Sequence, residues 1–399
     1  MNAASPTELV SVWLAGFDDA LSREDARAAA AMFCDESYWR DLVTFTWNVK
    51  TMEGRHEIMS MLEAMLPTVE PSSWAIDGEV TSGDDVTEAW ITFETAVARG
   101  SGHLRLKGDK CWTLLTTMTE QKGFEEQRGS RRDKGEPHGA FKDRKTWLER
   151  KNQEEAELGF GKQPYCVVVG GGQGGIGLGA RLKRLGVPTL IVDKHERPGD
   201  AWRKRYRSLN LHDPVWYDHM PYLPFPEHWP VFSPKDKIGD WLEMYTKVME
   251  LNYWPSTECK SARYDEAKKE WQVVVERGGK TITLRPKQLV LATGMSGIPN
   301  MPQFSGMKSF QGEQHHSSRH PGGDAYAGKR CVVIGSNNSA HDICADLWEH
   351  GADVTMVQRS STLVARSDSL MQHGLASLYS EDALKAGITT DKADLIFAS

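Results

Sequence analysis

From Leu9 to Phe33 apolar and alanine residues recur at helical spacing. The pattern predicts two helices joined near Leu21, with Ser22 and Asp25, three residues apart, as a helix entry. After Asp41 the texture changes to alternation in Leu42, Val43, Phe45 and Trp47, and a short helical stretch follows around Ile58 to Leu66. Three strand-like runs come next, Glu88 to Arg99, Gly102 to Leu106 and Cys111 to Glu120. Helices followed by antiparallel-looking strands predict an α+β domain over residues 1–124. Residues 125–160 lose apolar character and gain charge, as in Glu125-Glu126, Arg131-Arg132-Asp133-Lys134 and Arg144-Lys145. Such a stretch buries too little surface to fold alone. Its mixed signs suit a solvated linker, docked on its neighbours through Phe141, Trp147 and Leu148.

From residue 161 the pattern becomes strand, glycine turn, helix, strand, and it occurs twice. Tyr165 to Val169 is an apolar strand that runs into Gly170-Gly171-Gly172-Gln173-Gly174-Gly175, and Ile176, Ala180, Leu182 and Leu185 then mark a helix face. In this G-x-G-x-x-G turn Gly170 permits the tight bend, Gly172 lets backbone approach a pyrophosphate and Gly175 allows close helix packing. The helix N-terminus, with Gly174 in its first turn, adds unpaired N–H groups and a positive dipole end. The next strand, Thr189 to Val192, ends at Asp193, placed to accept hydrogen bonds from ribose hydroxyls.

The repeat opens at the strand Arg330 to Ile334 and the turn Gly335-Ser336-Asn337-Asn338-Ser339-Ala340, followed by a helix and the strand Val354 to Val357. Asn337 and Ala340 stand at the second and third glycine positions, and the strand is followed by Gln358-Arg359 with no carboxylate. A guanidinium there pairs with a 2′-phosphate, which favours NADPH over NADH. An acidic partner on the first fold and a basic one on the second imply FAD at Gly170–Gly175 and Asp193, and NADPH at Gly335, Asn337, Ser339 and Arg359. The expected organisation is an FAD domain over 161–300 and an NADPH domain, incomplete at its end, over 301–399.

Composition narrows the partners. The chain has 399 residues, with 48 Lys and Arg against 55 Asp and Glu, a formal charge of −7. No basic surplus points to nucleic acid. The N-terminus lacks the basic start and apolar run of a secretory signal, and no segment is apolar enough to span a bilayer. The six cysteines form no Cys-x-x-Cys pair, so neither a disulfide framework nor a zinc site is expected and the chain reads as reduced and cytoplasmic. His315 and His316 are adjacent on an extended segment and point apart, so no metal site is expected there.

Two resemblances add to this reading. Phe33, Tyr38, Trp39, Arg40, Asp41, the Gly54 turn and the last three strands of the first domain resemble the SnoaL-like, or nuclear transport factor 2-like, fold. That resemblance implies a curved sheet wrapped on helices into a cone, with a scaffolding or homodimerising role favoured over chemistry at Asp41 or His56. In the second part, Gly199-Asp200-Ala201-Trp202, Leu291-Ala292-Thr293-Gly294 and Phe310-Gln311-Gly312-Glu313-Gln314-His315-His316 are similar to motifs of the flavin-containing monooxygenase superfamily. Asp200 departs from the family's Gly-Gly-x-Trp, and His320 stands where that fingerprint commonly ends in an aromatic residue.

Leu209-Asn210-Leu211-His212-Asp213-Pro214 is further similar to the Leu-x-Leu-His-x-Pro segment of the plant auxin-forming YUCCA enzymes. The resemblance implies hydride transfer from NADPH to FAD, reaction with O2 to a flavin C4a-hydroperoxide, and oxygen insertion into a small organic substrate. Trp202, Thr293 and Gly294 would lie beside the flavin, and Asn210, His212 and His316 near its reactive part or gate. Baeyer–Villiger oxygenation of a ketone is an alternative, and a nucleotide-binding chain without turnover is another, because relatives run on well past the second turn. The aromatic run from Trp216 to Trp254 is read chiefly as packing, with a substrate cage as the alternative.

Overall fold

The computed structural model describes residues 5–295 and 297–399. It comprises two compact units, residues 1–126 with 381–399, and residues 127–380. Elements are numbered in chain order. The first unit opens with α1 (Pro6–Ser22), whose start is fixed by a capping box between Ser5 and Glu8. Helix α2 (Ala26–Ala31) begins on Asp25, whose carboxylate accepts from the Ala28 N–H at 2.9 Å. Asp25 rather than Ser22 is therefore the helix entry. Helix α3 (Gly54–Val69) extends the expected helical stretch on both sides.

Strands β1 (Phe33–Leu42), β2 (Val49–Glu53), β3 (Ser72–Ile76), β4 (Thr81–Gly83), β5 (Val86–Glu94), β6 (Ala98–Lys107) and β7 (Lys110–Gln121) form one mixed sheet in the order β2-β1-β7-β6-β5-β3, with β4 on β5. Only β1 and β7 pair in parallel. Alternation puts Ala89, Ile91, Phe93, Leu104 and Leu106 on the face that shares a core with Val10, Trp13, Leu14 and Phe17 of α1. Stacked and edge-on rings of Trp13, Phe17, Phe33, Trp39 and Phe45 fill its middle. The domain is α+β, as the pattern implied.

The alternation after Asp41 is not a strand. The chain leaves the sheet at Leu42 and folds around the fully buried Asp41 carboxylate, which accepts from the Phe45 and Thr46 backbone N–H groups at 3.0 and 2.8 Å and from the Thr116 hydroxyl at 2.9 Å. Side-chain bonds to backbone compete with the ladder here, and Asp41 is a structural residue.

By contact, residues 381–399 group with this first unit. They form α10 (Glu381–Lys385) and α11 (Thr390–Ala398); Ala393 is fully buried, the Ser399 hydroxyl lies 3.3 Å from His103 Nδ1, and the Lys392 ammonium stands 5.4 Å over Trp90.

In the second unit, α4 (Trp147–Glu157) leads into β8 (Cys166–Val169), α5 (Gln173–Arg184), β9 (Thr189–Val192), α6 (Asp200–Arg203), α7 (Lys235–Val248) and β10 (Tyr253–Trp254). An antiparallel meander of β11 (Thr257–Asp265), β12 (Glu270–Arg277) and β13 (Lys280–Leu284) precedes β14 (Gln288–Leu291). Strands β10-β9-β8-β14 make a parallel sheet. A separate parallel pair, β15 (Arg330–Ile334) and β16 (Asp353–Val357), is connected by α8 (Asn338–Glu349), and α9 (Ser367–Leu370) follows. The charged segment docks on this unit, but not through the expected residues. Phe141, Trp147 and Leu148 are exposed, whereas Leu158 is buried beside Trp254 and Phe160 packs on the Trp254 ring at 5.4 Å. Among the described residues no helix is long and apolar enough to cross a membrane.

Candidate functional site

At the first turn the chain leaves β8 at Gly170 with φ +109°, and a Cβ there would lie 2.3 Å from the Ala292 carbonyl oxygen. Ala292, at the head of the Thr293-Gly294 segment, is thereby held against the turn. A Cβ on Gly175 would lie 1.9 Å from the Gly170 carbonyl oxygen, so these two glycines are required by the protein's own backbone. Gly172 and Gly174 are different: a Cβ on either meets nothing within 4 Å. That side of the turn is open, and the N-terminus of α5 has no side-chain cap, so its N–H groups are available to an anionic group. The arrangement fits a dinucleotide pyrophosphate.

Asp193, just past β9, closes the turn from behind. One carboxylate oxygen accepts from the Gly171 N–H at 2.6 Å, and the other accepts from the His195 N–H at 2.8 Å and contacts His195 Nδ1 at 2.7 Å. Burial alone raises its pKa, but the bonds from His195 and Gly171 outweigh it and hold the carboxyl below its ordinary value. Asp193 is thus a brace of the turn as well as a ribose candidate.

The second turn repeats the backbone with other residues. Gly335 has φ +139°, Asn337 precedes α8 without a side-chain cap, and Ala340 takes the helix-packing position. Arg359 is exposed just beyond the end of β16.

Both turns reach one cavity of about 420 Å³. Gln173 comes from the first turn, Asn338 and Ser339 from the second, and Trp202, Asn210 and His212 from the connection between them. Trp202 donates its indole N–H to Gln173 Oε1 at 3.1 Å, and Asn210 donates to the Ser208 carbonyl at 3.3 Å. His212 Nε2 lies 3.1 Å from Asp342 Oδ2 on α8, and the Tyr206 hydroxyl donates to that same oxygen at 2.7 Å. The cavity is lined by polar and aromatic side chains and lies beside the starts of both α5 and α8.

Residues 167–399 match the family described as pyridine nucleotide-disulphide oxidoreductase. The chain belongs to this family. In sequence it is 34% identical over 202 residues to indole-3-pyruvate monooxygenase YUCCA1 of Oryza sativa subsp. japonica, covering 50% of this chain and 49% of that protein. It is likewise 34% identical over 200 residues to the probable indole-3-pyruvate monooxygenase YUCCA9 of Arabidopsis thaliana, covering 50% and 48%. The chain thus spans about half the length of these relatives. Among solved structures, the flavin-containing monooxygenase from Stenotrophomonas maltophilia superposes with a TM-score of 0.48 at 26% identity, covering 56% of this chain and 68% of that one.

All six cysteines are free thiols. Of the three catalytic candidates, Asn210 and His212 line the cavity and His316 does not. The His316 ring instead accepts from the Ser318 N–H at 3.2 Å and starts a short helical turn. Thr293 and Gly294 are exposed beside the first turn. His320 is a buried packing residue, its Nε2 2.8 Å from Asp346 Oδ2, and the described residues offer no cluster that would hold a metal. Of the aromatic run, Tyr245 and Trp254 are core, while Tyr217 and Trp241 reach the cavity.

Sequence reasoning missed Tyr206, Asp342 and Asp218. The first two lie just outside the motifs, and no partner is visible in the sequence because the Tyr206–Asp342 and His212–Asp342 contacts span 136 and 130 positions of chain. Asp218 lines the cavity with a buried oxygen, Oδ2, that has no hydrogen-bond partner. Burial, then the nearby Asp213 charge, pushes its carboxyl up to about 7.

Proposed function

We propose that this chain is a flavin-dependent monooxygenase that uses NADPH and O2 to insert one oxygen into a small organic substrate. The observation that supports the reading is the cavity walled by Gln173 of one glycine turn and by Asn338 and Ser339 of the other, where two nucleotides would meet. FAD would be held by Gly170 to Gly175 and Asp193, with Trp202, Thr293 and Gly294 alongside. NADPH would be held by Gly335, Asn337, Ser339 and Arg359, whose charge suits a 2′-phosphate. When bound, FAD supplies the two-electron carrier between nicotinamide and oxygen. The chain's own part is to bring the nucleotides together, exclude water with Trp202, Tyr217 and Trp241, and orient the substrate with Asn210 and His212. The similarity to indole-3-pyruvate monooxygenases supports oxygenation as the reaction class.

The N-terminal unit is assigned a scaffolding, SnoaL-like role that also suits a homodimer, because its interior is packed with aromatic rings and its buried acid, Asp41, is committed to a turn. A cytoplasmic setting suits six free thiols.

Purified chain incubated with FAD should retain flavin absorption that bleaches on adding NADPH without oxygen, and Arg359→Ala should weaken NADPH by about tenfold with little effect on NADH. Absence of flavin binding, or equal use of NADH and NADPH, would refute the assignment. Oxygen uptake with amines, sulfides, ketones and 2-oxo acids then separates the substrate classes.

A further inference from the structure

Two hydrogen-bond contacts to Asp342 on α8 join Tyr206 and His212 of the cavity wall. Tyr206 is 2% exposed. Tyr206 donates to Asp342 Oδ2 at 2.7 Å, and His212 Nε2 meets the same oxygen at 3.1 Å. The surrounding packing is firm: Tyr206 and Leu209 share a core with Ile343 and Leu347 of α8. An ionised carboxylate only accepts hydrogen bonds. With the tyrosine hydroxyl already donating to Oδ2, the imidazole nitrogen that meets this atom must carry a proton.

We propose that Asp342 is a positioning residue that fixes the His212 proton on Nε2, leaving Nδ1 as the proton-accepting nitrogen of an imidazole in the cavity wall. Asp342 itself does not line the cavity, so it acts through His212. The neutral ring is then held in one tautomer and one orientation, as outer partners of functional histidines commonly do. The role of the tautomer in turnover rests on the proposed monooxygenase reading; the tautomer itself does not.

The test is a long-range proton–nitrogen correlation spectrum of the full chain labelled with ¹⁵N-histidine at pH 8, where an ordinary imidazole is neutral. His212→Gln identifies the ring's signals. The expected parent pattern is a protonated Nε2 and a bare Nδ1, and a protonated Nδ1 overturns the proposal without any further variant. In Asp342→Asn the amide can donate or accept, so the single pattern is expected to give way to a mixture of tautomers, while Asp342→Glu restores it. An unchanged pattern in folded Asp342→Asn also overturns the proposal. For the loaded enzyme, kcat should fall by about tenfold in Asp342→Asn with KM for NADPH within about twofold. A parent with the expected tautomer but no NADPH oxidation refutes the monooxygenase reading and leaves the Asp342 assignment standing.

Discussion

The two strand-turn-helix turns share a backbone but differ in what lies beneath them. Strand β8, which feeds the first, sits between β9 and β14, and its Val167 and Val168 are fully buried. Strand β15, which feeds the second, pairs only with β16; Val332 and Ile334 are 63% and 58% exposed while the opposite face packs on α8. Parallel sheets are ordinarily covered on both faces, and the first obeys that rule where the second does not. The same local motif is therefore built on a deep core in one place and on a single covered face in the other. Turn geometry is a property of glycine and the helix start; the stability behind it is a property of burial.

The largest expected effect comes from the glycine that the first turn requires and the second has replaced. Gly175→Ala forces a methyl against the Gly170 carbonyl oxygen at 1.9 Å. It should cost about 3 kcal/mol in urea unfolding, the upper end for overpacking. Ala340→Gly, the reverse change at the other turn, should cost only about 1 kcal/mol, the helix propensity difference. Equal costs would mean that the two turns are not packed differently. A step below this is Val168→Ala, expected to cost about 2 kcal/mol as a buried methyl deletion, against less than about 0.5 kcal/mol for the exposed Val332→Ala.

Both turns were legible in the sequence because their signal is local: an apolar strand, glycines at fixed offsets and a helical face within one short window. The helices of the N-terminal unit and three of its strands were legible by period for the same reason. Residues 42–47 were misread because alternation there is produced by a turn wrapped on Asp41, and a side chain bonding to backbone leaves no periodic trace. Strands β3 and β4 are too short to show a period. The contacts of residues 381–399 with Trp90 and His103 were not legible because those partners lie at the other end of the chain. Asn210 and His212, singled out by a motif, line the cavity, but the Asp342 contact of His212 was not legible, since contact with α8 is a tertiary fact.

Two carboxylates of the second unit, Asp193 and Asp218, sharpen the comparison through pH. Asp193 braces the first turn with its pKa below the ordinary value, and the second turn has no counterpart. A depressed folded pKa contributes stability that is present above the unfolded value, about 4, and lost as pH falls through the folded one. Asp193→Asn should therefore cost about 1.5 kcal/mol at pH 7, the range for a hydrogen bond to a charged group. The difference from the parent should shrink below pH 4. A cost that stays constant down to pH 3 would show that the brace is packing rather than charge.

Asp218 is expected to behave with the opposite sign and the smallest size. Its carboxyl is pushed up to about 7 by burial and by Asp213, and Oδ2 has no partner. The folded chain then holds this proton more tightly than the unfolded one, so stability falls as pH rises from about 4 to about 7 and the deficit persists above that. Asp218→Asn removes the charge at nearly constant shape. It should stabilise the chain by about 1 kcal/mol at pH 8, well under the full linkage value because the side chain is only partly enclosed, and by almost nothing at pH 4. Urea unfolding of parent and variant at both pH values measures the effect. The contrast with Asp193 is instructive because both acids lie in one unit near one site. Two donors fix the acid behind the turn, whereas the acid in the cavity wall has a bare oxygen, and the sign of each pH response reports which has found its partners within the fold.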